Sequence, residues 1–102
     1  MNLIELMRQI RERPEAFLQD DCIFQLRAFI RGFILAQNVL SKSGTFVICE
    51  DNKLLDKFDA YIKDRYKVKP EAQISVEEVL FDAESKEAFF KYIELWFNYV
   101  QH

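Results

Sequence analysis

Apolar residues recur along most of this chain at steps of three and four, the spacing that lines one face of an α-helix. Leu3, Ile4, Leu6, Met7 and Ile10 share one face, and Asn2 stands where a helix N-cap belongs, so a first helix is expected over 3–12. Pro14 then enforces a break. Arg13 to Asp21 reads as a loop anchored by Ala16, Phe17 and Leu18. Asp20 or Asp21 is placed to cap a second helix over 22–42, striped by Ile23, Phe24, Leu26, Phe29, Ile30, Phe33, Ile34 and Leu40. This is the densest apolar stripe and predicts the central helix. Gly32 lies inside it and costs about 1 kcal/mol relative to Ala, which suggests close approach by another helix. Ser41 to Gly44 carries a helix stop, and Thr45 to Cys49 is a β-prone extended piece too short to make a sheet.

Leu54, Leu55, Phe58, Tyr61, Ile62 and Tyr66 predict a third helix over 51–66, followed by a loop containing Pro70. Ser75 followed by Glu78 is a capping box that opens a short helix with Val76, Val79, Leu80 and Phe81 turned inward. Asp82 is expected to cap a last helix over 83–101, with Phe89, Phe90, Ile93, Trp96, Phe97 and Val100 inside. The expectation is an all-α fold, a compact bundle of four main helices plus one short helix in a single helical domain over 1–102. Phe29, Phe33, Phe58, Ile93 and Trp96 should form its core.

Composition sharpens this picture. Half of the 102 residues are hydrophobic, and ten Phe, four Tyr and one Trp exceed what so short a chain hides completely. Some aromatics should therefore stay outside as a partner surface. Two Gly and two Pro are few for a sandwich or barrel, whose tight turns use both. No run has the length of a membrane span, and Met1 to Arg13 is amphipathic where a leader would be continuously apolar. The expected location is the cytoplasm. Cys22 and Cys49 read as small buried hydrophobes, with a disulfide or redox role as the alternative.

Chemistry is thinly represented. His102 is the lone histidine, and no CxxC, HxxxH or HExxH spacing exists to hold a metal. Two glycines cannot build a phosphate-binding loop. Nucleophiles lack an orienting base. The chain is accordingly expected not to be an enzyme, with no catalytic residues, no metal, no cofactor and no small-molecule substrate. Nucleic-acid binding is not expected at a net charge of −3, because the lysines of 53–69 alternate with Asp56, Asp59 and Asp64.

The charge is uneven. Residues 71–102 hold seven acids and two bases, a balance of −5, while residues 1–41 balance at zero. One reading is that these acids cap helices and complement their dipoles. The other is an acidic patch made of Glu77, Glu78, Asp82, Glu84 and Glu87 that meets a basic partner. Should the patch not be the interface, Tyr61, Tyr66, Tyr92 and Tyr99 are the next candidates, since Tyr is enriched at interface centres.

The stretch from Ile10 through Pro14 to Leu18, followed by Leu26-Arg-Ala-Phe-Ile-Arg-Gly-Phe33, resembles small bacterial immunity proteins of polymorphic and contact-dependent growth inhibition toxin systems. Phe58, Tyr61, Ile62 and Tyr66, then Ser75, then Glu87-Ala-Phe89 are similar to that group in order. Glu15 and Ala16 stand where the group has Gly and Met, Phe17 where it has Tyr, and Gln19 where it has a second Gly. A similar turn string occurs in type II topoisomerase ATPase domains, but the Gly-rich ATP-binding segments found there have no counterpart in this chain. The resemblance implies a cytoplasmic inhibitor whose partner is a cognate toxin protein, a nuclease whose basic cleft an acidic surface would meet. The alternative is a helical adaptor or structural subunit of a larger bacterial complex.

Overall fold

The computed structural model describes residues 1–40 and 50–101. Among these residues five α-helices follow one another: α1 (Leu3–Glu12), α2 (Ile23–Leu40), α3 (Glu50–Arg65), α4 (Val76–Glu84) and α5 (Ala88–Val100). Short 3-10 turns occupy Pro14–Ala16 and Ser85–Glu87. The fold is all-α, and α4 is the short helix. The stop at Ser41–Gly44, the extended piece Thr45–Cys49 and His102 lie outside the described residues.

Local chemistry explains most helix ends. The Asn2 side chain accepts the Glu5 N–H at 2.9 Å, satisfying one of the amides that a helix N-terminus leaves unpaired. The Leu3 N–H donates to Asp51 at 2.9 Å, and the same carboxylate oxygen accepts from Gln37 at 2.7 Å, so one acid ties α1, α2 and α3. Ser75 caps α4 by accepting the Glu78 N–H at 3.3 Å, and its hydroxyl donates to the Glu78 carboxylate at 3.1 Å. After α3, Val68 N–H reaches Lys63 O at 2.9 Å and Lys67 N–H reaches Asp64 O at 3.1 Å. This is a Schellman closure with Lys67 at φ 57°, the left-handed position that glycine usually fills.

Two expected caps are not used as such. The Leu26 N–H donates to Cys22 O, so the ladder of α2 begins at Cys22, while Asp20 exchanges hydrogen bonds with the Gln25 side chain instead. Asp82 does not cap the last helix, because α4 runs through it to Glu84. The reversal comes at Ser85, whose φ of 52° and ψ of −121° turn the chain before α5 begins at Ala88.

The core is one cluster. Leu3, Leu6, Met7 and Ile10 of α1 meet Ile23, Leu26, Ile30 and Ile34 of α2, Phe58 and Ile62 of α3, Leu80 of α4, and Phe89, Tyr92, Leu95 and Trp96 of α5. Phe58 is its hinge: it lies edge-on to both Trp96 and Tyr92, at centroid distances of 5.0 and 5.3 Å. Phe58, Ile93 and Trp96 are core residues as expected, but Phe29 and Phe33 are only half-buried at its margin. The α2 stripe is apolar on nearly every side, so spacing does not orient it. The face that goes inward is the one carrying Leu26, Ile30 and Ile34, and Phe24 is left outside. In α5 each residue advances about 100°, so burying Phe89 and Trp96 turns Phe90 outward and brings Tyr92 in. Phe81 is also exposed where the sequence places it inside, and Tyr92 is buried where the sequence leaves it available.

Gly32 corrects a further expectation. It is exposed, and an added Cβ would meet nothing within 4 Å, so no neighbouring helix needs its smallness. Gly32→Ala should therefore stabilise the fold by about 1 kcal/mol through helix propensity and a less flexible unfolded chain. Urea unfolding measures this, and a loss of stability would mean that the site is crowded.

Candidate functional site

The bundle's main polar feature is built around Arg27. It lies in the second turn of α2, on the inward face, and is only 3% exposed. Its two terminal nitrogens grip Asp59 of α3 in a bidentate pair, both contacts at 2.9 Å. Nη1 also donates to the Tyr92 hydroxyl of α5 at 3.1 Å, and Nε lies 3.5 Å from Glu77 of α4. Arg31, one helical turn further along α2, closes the array with a 2.7 Å ion pair to Glu77. One guanidinium thus touches a side chain from each of the other three helices of the C-terminal assembly.

The electrostatics follow from that packing. Burial works against the Arg27 charge, but Tyr92 and the hydrogen-bonded Asp59 more than offset it, and the guanidinium is held above its usual value. Burial also acts first on Asp59 and lifts its carboxyl above the ordinary value despite Arg27. Burial of Glu77 is outweighed by its backbone hydrogen bond and by Arg27 and Arg31, so its carboxyl is depressed. Tyr92 is pushed up to about 12, chiefly by burial, with Arg27 opposing. Both sign and geometry describe a network that holds the Arg27 charge inside the bundle.

Of the five acids expected to form a patch, Glu77 is therefore removed to the interior at 6% exposure. Its position next to Glu78 gives no hint of this, and the signal that could have found it is the Arg27–Arg31 pair one turn apart on α2. Glu78, Asp82 and Glu87 are exposed, and they lie on α4 and on the turn into α5. Glu84 is half-buried and accepts from the Tyr66 hydroxyl at 3.3 Å. Burial and that carboxylate together push the Tyr66 phenol up. The structure thus keeps a solvent-facing set of acids, with Asp82 and Glu87 exposed, Glu78 exposed but bonded to the Ser75 hydroxyl, and Glu84 held by Tyr66. Tyr61 and Tyr99 are half-buried and pack against each other at 5.0 Å.

Beside this surface lies a cleft of about 210 Å³, lined in part by Asp21, Cys22, Phe81, Lys86 and Phe89. Cys22 is a free thiol of intermediate exposure, not a buried one. The exposed rings of Phe24 and Phe81 stand 5.5 Å apart next to it. Among the described residues, no group of three or more His, Cys, Asp or Glu side chains is arranged to hold a metal ion. No helix among them is long and apolar enough to cross a membrane. Compared with known proteins, the chain matches no family model, no curated protein and no solved structure.

Arg27→Met would leave the part-buried Asp59 carboxylate without its cation and Glu77 with Arg31 alone. The expected loss is about 3–5 kcal/mol in urea unfolding, and a loss below about 1 kcal/mol would show the network to be dispensable. Tyr92 supplies an alkaline test. Its folded pKa of about 12 exceeds the unfolded value of about 10, so its contribution to stability is complete below pH 10 and is lost as pH rises towards 12. Ultraviolet titration should show a late tyrosinate step that is missing in Tyr92→Phe. A wild-type titration finished by pH 11 would contradict the buried, bonded phenol.

Proposed function

We propose that this chain is an immunity-type inhibitor that binds a cognate bacterial toxin domain, a nuclease, in the cytoplasm and needs no cofactor or catalysis of its own. The observation that carries the reading is the exposed acidic surface of Glu78, Asp82 and Glu87 on a frame held still by the Arg27 network. Acids displayed on rigid elements present a fixed field, which speeds encounter with a basic cleft and selects among partners. The sequence resemblance to immunity proteins supports the same role and adds the toxin as partner. Glu77 supports it indirectly, by anchoring α4 beneath the displayed acids.

A second reading, an adaptor within a larger bacterial complex, is favoured by one specific observation: Phe24, Leu35 and Val39 of α2 are exposed. An adaptor would bind through that apolar face and leave the acids as solubilising charge. The two readings part on charge reversal. Asp82→Lys together with Glu87→Lys replaces two exposed side chains, so melting should change by the equivalent of less than about 0.5 kcal/mol per site. The double variant should nevertheless lose protection when co-expressed with the toxin domain that the wild-type chain neutralises, and should bind that domain more slowly. Full protection by the double variant would exclude the acidic surface as the interface.

A further inference from the structure

We draw no further inference here: the strongest candidate, the cleft of about 210 Å³ where the start of α2 meets the turn between α4 and α5, lined in part by Cys22, Phe81, Lys86 and Phe89, rests on a lone cysteine beside an exposed aromatic ring, and nothing in the structure shows what ligand or partner fills it.

Discussion

The Arg27 guanidinium is the constraint on which the C-terminal assembly depends. A buried charge is costly unless it is paired, and α3, α4 and α5 each deliver a side chain to Arg27. Asp59 and Tyr92 do so by hydrogen bonds, and Glu77 by an ion pair 3.5 Å from Nε, an atom with no hydrogen-bond partner among the described residues. An apolar core tolerates small slips between helices, because contacts between methyl groups are non-directional. A bidentate pair at 2.9 Å does not. The polar array therefore specifies how the helices register, while the cluster around Phe58, Phe89 and Trp96 supplies the driving force. Asp51 performs a smaller version of the same task at the other end, where it joins the first amide of α1 to Gln37 of α2.

Much of this was legible in the residue pattern. The first helix, the break at Pro14, the Ser75 cap and the helical content all follow from local chemistry that acts over a few residues. The orientation of the helices was less legible, and the reason is physical. α2 and α5 are apolar on more than one side, so periodicity marks them as helices without saying which side turns inward. The pattern places Phe24, Phe81 and Phe90 inside and they are outside, whereas Tyr92 is inside, where its hydroxyl accepts from buried Arg27. Glu77 shows the same limit for charge. As one of two adjacent acids at a helix start it has an ordinary local explanation, and only the long-range meeting with Arg27 and Arg31 makes it internal. The end of α4 was misplaced for a related reason: Asp82 is a good cap, but the chain turns at Ser85, a residue that seldom adopts a positive φ.

The burial of Glu77 divides the acidic third into two layers. The inner acid anchors α4 to α2, and Glu78, Asp82 and Glu87 are displayed above it. Anchoring and display are coupled for Glu78 and Asp82, which share α4 with Glu77, while Glu87 stands on the turn into α5. The exposed Phe24–Phe81 pair lies next to Asp82 of this surface and beside the cleft that Lys86 lines. Surface charge governs how fast a protein partner arrives, and buried aromatic contact governs how long it stays.

The central claim is that a fixed acidic surface captures a basic toxin domain. The most direct measurement is the rate at which the chain associates with a candidate toxin nuclease domain, followed by stopped flow across a series of salt concentrations. Charges that steer an encounter are screened beyond a Debye length, about 10 Å at 0.1 M salt and about 3 Å at 1 M. The account predicts an association rate that falls steeply with added salt while dissociation changes little. Association that is equally fast at low and high salt would contradict it and return the acids to the role of helix caps and solubilising charge.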